Sequence, residues 1–230
     1  MSEPAPIRFH FDYISSNAYL AWLELPKLAA KYGRRIEPVP TLFAGLLGAH
    51  GQLGPAEIPA KAAWMFRNNL RKAALLGVPL VAPIHHPFNP LLSLRVSSAP
   101  DAAEDRARAI TALFRAVWVD REHVSEPATV ARVLDAAGLR GAELVGRAQA
   151  PAAKQRLRDD TDAAIARGVF GVPTMLVGDE LFWGYDDFAF LERHLAGDDP
   201  LAADAVARWA GKSSPSAMRP EALRARAKRA

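Results

Sequence analysis

Ile7-Arg8-Phe9-His10-Phe11-Asp12-Tyr13-Ile14-Ser15-Ser16-Asn17 changes pattern halfway along its length. From Ile7 to Tyr13 apolar residues alternate with more polar ones, as in a strand with one buried face. Ser15, Ser16 and Asn17 then supply short side chains that accept from free backbone N–H groups, which marks a helix start. Leu20, Leu23, Leu25 and Leu28 carry that helix from Ala18 to Tyr32, with Gly33 as its C-terminal stop. Pro26 inside it predicts a kink or break. Ile36-Glu37-Pro38-Val39-Pro40 follows as a short strand whose prolines suit a sheet edge. Strand, helix and strand in this order predict a parallel pair.

Beyond Thr41 the pattern is helical as far as about Arg167. Helices are predicted at 60–76, 90–98, 102–118, 127–137, 142–148 and 151–168. Pro90, Pro127 and Pro151 stand at helix starts, where proline loses no hydrogen bond. Pro83 to Pro90 is a loop holding His85, His86 and Asn89. Strand signals return at 172–177 and 181–183, joined by the hairpin-turn residues Gly178-Asp179-Glu180. Asp186-Asp187 opens a helix to about His194, and another is predicted at 201–210. The order β-α-β, helical block, β-β-α is an α/β plan with a large all-helical insertion, which must pack as its own layer. The expected organisation is a discontinuous domain at 1–40 and 168–211, an insertion at 41–167, and a basic tail at 212–230.

Composition removes several classes of function. An apolar share of 50% in 230 residues excludes a disordered chain and suffices for a full core. No apolar run is long enough to span a membrane, and the first residues show no secretory pattern, so cytoplasm is the expected location. Cysteine is absent, which eliminates disulfides, thiolate metal sites, cysteine nucleophiles and C-x-x-C redox centres. The net charge of +4 suggests a nucleic-acid partner, but the six basic residues and one acid of 212–230 account for it. The remainder is close to neutral and has no strong electrostatic footprint, so neither a nucleic acid nor a membrane is the expected partner.

Three places carry candidate chemistry. Ser15 stands at a strand-to-helix junction, where free N–H groups and the helix dipole stabilise an anion. Read locally, Ser15 or Ser16 is simply an N-cap. Gly171-Val172-Pro173-Thr174 places a proline at a strand entry. If the bond is cis, the Val172 backbone groups face outward toward an extended peptide; otherwise Pro173 is an ordinary strand start. Trp183-Gly184-Tyr185-Asp186 precedes a helix, so Asp186 either caps it or offers a carboxylate to a ligand's ammonium. The six histidines are scattered and form no metal set, and no nucleophile elbow, P-loop or dinucleotide fingerprint is present. Trp64, Phe66, Phe114 and Trp118 lie at helical spacing and read as core.

Taken together, Phe11-Asp12-Tyr13-Ile14-Ser15-Ser16-Asn17-Ala18-Tyr19-Leu20, Gly168-Val169-Phe170-Gly171-Val172-Pro173-Thr174-Met175 and Asp179-Glu180-Leu181-Phe182-Trp183-Gly184-Tyr185-Asp186 resemble the 2-hydroxychromene-2-carboxylate isomerases, relatives of the kappa-class glutathione transferases. Gly54-Pro55 and Gly77-Val78-Pro79-Leu80 are further matching points. The resemblance implies a thioredoxin-like domain with a helical insertion, the DsbA architecture, and a homodimer. It implies glutathione as cofactor, with Ser15 holding the sulfur as a thiolate. It also implies a cis bond before Pro173, Val172 pairing with the cysteinyl part, and Trp183, Gly184, Tyr185 and Asp186 receiving the γ-glutamyl end. The family reaction is cis–trans isomerisation of an aromatic ring-opened pyruvate, in which the thiolate adds, a bond rotates and the thiolate leaves.

The chain departs from the family pattern after Ser15, where Ser16 replaces the usual proline. Leu47 falls where family isomerases carry a lysine for the substrate carboxylate, on the loop after the second strand, and Glu57 falls where they carry an asparagine. His86, Asn89, Arg95 and Arg67 are the candidates to replace the lost contact. The expected function is glutathione-dependent isomerisation of an aromatic-catabolite-like small molecule. A kappa-like glutathione transferase or peroxidase, a non-catalytic thioredoxin-like binder and a nucleic-acid protein using the tail are the alternatives.

Overall fold

A computed structural model describes residues 4–201, 205, 206 and 208. The helix expected at 201–210 falls largely outside these residues, and the basic tail wholly so. The chain divides into two compact units, Met1–Leu191 and Glu192–Ala230, and the first contains every candidate site residue.

The first unit is built on a four-stranded sheet. Its strands are β1 (Ile7–Phe11), β2 (Ile36–Pro40), β3 (Thr174–Val177) and β4 (Glu180–Trp183), in the order β2-β1-β3-β4. β1 and β2 run parallel, with Phe9 opposite Pro38. β3 runs antiparallel to β1 and to β4. The proline-bearing β2 occupies an edge, where a strand can lack donors without breaking a ladder. Helix α1 (Ser16–Lys31) makes the β1-to-β2 crossover. Between β2 and β3 come α2 (Phe43–His50), α3 (Pro59–Leu76), α4 (Leu91–Ser97), α5 (Ala103–Trp118), α6 (Pro127–Ala136), α7 (Gly141–Gln149) and α8 (Pro151–Ala166). A 3-10 turn at Tyr185–Asp187 leads from β4 into α9 (Phe188–Leu195).

The core explains why β1 is so apolar. Ile7, Phe9, Phe11 and Tyr13 are fully buried, and the Phe11 ring meets Trp22 of α1 and Phe114 of α5. Tyr13 packs on Phe114 with ring centres 4.7 Å apart. The helical insertion therefore closes over the C-terminal end of β1. A second cluster, Leu46, Ala164, Val169, Val172 and Leu176, joins α2 and α8 to β3 and the segment before it.

Two sequence expectations change. α1 continues through Pro26, which faces solvent, while Trp22, Leu25 and Ala29 stay buried on the opposite stripe. Trp64 and Phe66 are not core residues: they are 62% and 36% exposed on α3, whereas Phe114 and Trp118 are buried as read. Helical spacing reports which residues share a face, not whether a partner covers it.

α6 and α7 approach so closely that a Cβ on Gly141 would overlap the Ala131 carbonyl. The obstacle is backbone and cannot rotate away. Gly141→Ala is therefore expected to cost about 1–3 kcal/mol. A urea unfolding midpoint equal to wild type would contradict this.

Candidate active site

Ser15 is the N-cap of α1, with extended backbone angles of φ −96° and ψ 110°. Its Oγ accepts from the Ala18 N–H at 3.1 Å and donates to the Val172 carbonyl at 3.3 Å. Ser16 faces the other way: it is buried, and its Oγ accepts from Asn69 Nδ2 of α3 at 2.7 Å. Only the first serine stands at the half-exposed junction between the helix start and the segment ahead of β3.

The turn before Ser15 is held from several directions. Asp12 is fully buried and accepts from the Ile14 N–H at 3.2 Å and the Phe43 N–H at 3.0 Å. The Asp12 carbonyl accepts from the Ser15 N–H. Trp118 Nε1 donates to the Tyr13 carbonyl at 2.9 Å, and His86 Nε2 donates to the Ile14 carbonyl at 2.9 Å. These contacts come from the helical insertion, so the insertion fixes where α1 begins. Asp12, Trp118 and Asn69 were not legible as site-shaping residues, because each acts on a distant segment.

Facing Ser15, the Val172–Pro173 bond is cis, as the resemblance implies. The Pro173 carbonyl accepts from the Gly184 N–H at 2.8 Å, which pins the turn after β4 beside the proline. Gly184 has φ +81°, a conformation a side chain would strain. Asp187 Oδ2 accepts from the Trp183 N–H at 2.8 Å and so turns back onto β4, while Asp186 points toward α3. Trp183 is 48% exposed, and its ring packs over Gly171, whose missing Cβ makes room for it, and against Phe170. Asp186 is met by Lys72 Nζ of α3 at 2.7 Å, a contact absent from the sequence reading.

The substrate-side candidates separate. His86 reaches the Ile14–Ser15 junction. Leu47 is on α2 rather than a loop, and its Cδ1 faces Gly54; Glu57 turns back to accept from the Gly54 N–H at 2.5 Å. Leu47 and Glu57 thus share one turn. Asn89 Oδ1 accepts from the Leu91 N–H at the start of α4. Arg95 faces α8, and burial, with the Arg158 charge, lowers its pKa. No hydrogen bond or ring contact among the described residues ties Asn89 or Arg95 to Ser15.

Two buried groups on and beside β1 give opposite pH slopes. The Thr41 hydroxyl donates to the Val39 carbonyl, so His10 Nδ1 carries the proton that it donates to Thr41 Oγ1. Burial, with the Arg8 and Arg167 charges, pushes the His10 pKa from 6.5 down to about 4. Its stabilising contribution is present above 6.5 and lost as pH falls through about 4. Burial raises Asp12 from 3.8 to about 7 despite three backbone donors. Its contribution is present below 3.8 and lost as pH rises through about 7. The slopes oppose each other from about 4 to 6.5. In denaturant titrations across that window, Asp12→Asn should make stability rise with pH and His10→Gln should make it fall. Wild-type slopes in both variants would refute the assignment.

A thioredoxin-like α/β sheet, a helical insertion, a serine-capped first helix and a facing cis-proline define the class of protein. A family model of the DSBA-like thioredoxin domain matches residues 6–196, and the chain belongs to that family. A 2-hydroxychromene-2-carboxylate isomerase of Pseudomonas putida is 34% identical over 192 residues, covering 81% of this chain and 92% of the relative. Human glutathione S-transferase kappa 1 is 24% identical over 234 residues, covering 93% and 96%. A solved 2-hydroxychromene-2-carboxylate isomerase structure superposes with a TM-score of 0.77 at 31% identity, covering 83% of this chain and 94% of that one.

Proposed function

We propose that this chain is a glutathione-dependent cis–trans isomerase of the 2-hydroxychromene-2-carboxylate isomerase type, acting on an aromatic-catabolite-like substrate. The observation that carries the reading is Ser15, whose Oγ sits at a helix N-terminus and faces Val172 beside the cis-proline. The surroundings suit a γ-glutamyl tripeptide thiol: a hydroxyl donor at a positive helix end, backbone edges at Val172, and an exposed carboxylate at Asp186. When bound, glutathione supplies a thiolate able to add reversibly to an unsaturated carbon.

The Ser15 bond to Val172 is long at 3.3 Å, so an anion is a better acceptor and draws the hydroxyl to itself. The helix start adds about half a positive charge and further N–H donors. Ser15 and α1 together would therefore hold the sulfur ionised. Val172 would pair with the cysteinyl backbone, while Pro173 keeps that edge in place. Trp183, Gly184, Tyr185 and Asp186 would receive the γ-glutamyl end, with Asp186 on its ammonium. His86 and Leu47 would line the substrate side.

The reading includes a cytoplasmic homodimer. Trp64 and Leu75, on one face of α3, are 62% and 89% exposed, an apolar surface that a second copy would cover. No described helix is long and apolar enough to cross a membrane.

The test follows the thiol. Ultraviolet absorbance should show glutathione ionising at lower pH on the wild-type protein than free in solution, and Ser15→Ala should remove that shift. Failure to bind glutathione at millimolar concentration would overturn the reading. A kappa-like transferase, favoured by the similarity to the human kappa enzyme, would use the same Ser15. Mass spectrometry of the products separates the two, since isomerisation leaves substrate mass unchanged and conjugation adds glutathione.

A further inference from the structure

Lys72 has no role in the function proposed above, yet its surroundings are unusual for a lysine. The residue is only 8% exposed. Its Nζ donates to Asp186 Oδ2 at 2.7 Å and to Asn17 Oδ1 at 3.3 Å, with the Tyr185 ring centre 5.6 Å away. One ammonium from the helical insertion thus touches both the first turn of α1 and the turn after β4. Burying a cation is costly unless its charge and donors are matched. The match here is lopsided: the Asp186 side chain is 64% exposed while that of Lys72 is 9% exposed. This is not an ion pair sealed between elements. It is open on its carboxylate side.

The bonding capacity of the pair is not filled. An ammonium has three N–H donors, and a carboxylate about four acceptor positions. Lys72 spends two donors on Asp186 and Asn17, and Asp186 spends Oδ2 on Lys72. What remains is a negative oxygen and a cationic N–H side by side, next to Ser15's helix. The chemical complement of that arrangement is an ammonium and a carboxylate on one carbon. Asp186 alone would attract an ammonium but repel the carboxylate attached to it, and Lys72 removes that repulsion.

We propose that Lys72 and Asp186 form a clamp for a free α-amino-acid end, with Asp186 Oδ1 taking the ammonium and Lys72 Nζ the carboxylate. The proposal rests on the glutathione reading and deepens it. It makes Lys72 the residue that selects γ-glutamyl thiols over thiols without an amino-acid end, such as cysteinylglycine.

Titration calorimetry on the full chain tests it with two ligands: glutathione, and its decarboxylated analogue in which γ-aminobutyryl replaces γ-glutamyl. Wild type should bind the analogue about 10- to 100-fold more weakly, the worth of one charge-assisted hydrogen bond. Lys72→Met should lose this preference and bind glutathione no more tightly than the analogue, because Asp186 alone repels the carboxylate. Lys72→Gln, which keeps a polar tip, provides the same comparison if the methionine variant folds poorly. Equal wild-type affinity for the two ligands would overturn the clamp and leave the thiol reading intact. So would a lysine variant that discriminates as wild type does. Absence of glutathione binding by wild type would overturn both.

Discussion

Ser15→Ala is expected to lower turnover about a hundredfold while leaving most of the glutathione affinity and the fold in place. Removing one preorganised donor from a developing or resident anion costs about 10²–10³ in rate, and Ser15 Oγ is the side-chain donor at the mouth of α1. The same change removes an N-cap, which costs about 1 kcal/mol of stability. Ser16→Ala should do the reverse. Its hydroxyl accepts from Asn69 Nδ2, and Asn69 Oδ1 already lacks a partner, so the variant leaves a buried amide unsatisfied at both ends. That should cost about 1–3 kcal/mol of stability with little change in rate per folded molecule. Active-site titration with steady-state kinetics separates the two, and a silent Ser15→Ala beside a damaged Ser16→Ala would show the assignment reversed.

How much of this was legible depends on the range of the interactions. β1, the start of α1 and the β3–β4 hairpin are written in local alternation and turn residues, and they appear where the sequence puts them. Ser15 could be named as a candidate because a serine at a strand-to-helix junction has a local physical meaning. The cis bond at Pro173 followed from the resemblance alone, since proline by itself favours trans. Lys72 was invisible: it lies in a regular amphipathic helix, and its partner Asp186 is 114 residues away. Asp12 has the same difficulty, since its burial depends on α2 arriving from residue 43. The helix α2 did not separate from the helical block because its residues, Phe43 to His50, are nearly all apolar or small and show little periodicity. Trp64 and Phe66 misled for a related reason: an apolar stripe was read as core without evidence of what covers it.

The second large effect concerns the substrate. 2-Hydroxychromene-2-carboxylate itself is expected to be a poor substrate for this chain, even though relatives named for that isomerase are about a third identical to it. The resemblance implies a lysine for its carboxylate at the position where this chain holds Leu47. The structure sharpens the case, because Leu47 Cδ1 and Glu57 Oε2 both lie within 3.3 Å of where a Gly54 Cβ would stand. An apolar tip and a carboxylate therefore share the turn where a cation is wanted. A charge-assisted hydrogen bond is worth about 1.5–3 kcal/mol, so its absence costs about ten- to a hundredfold in kcat/KM. Leu47→Lys alone should recover only part of this, since the new ammonium would pair with Glu57 rather than wait for substrate. Leu47→Lys combined with Glu57→Gln should recover the full factor, and Glu57→Gln alone little. Steady-state kinetics on the chromene carboxylate across these proteins decides the matter. Robust wild-type turnover with no gain in the double variant would mean that another residue grips the carboxylate, and His86, already hydrogen-bonded to the Ile14 carbonyl beside Ser15, would be the next to replace.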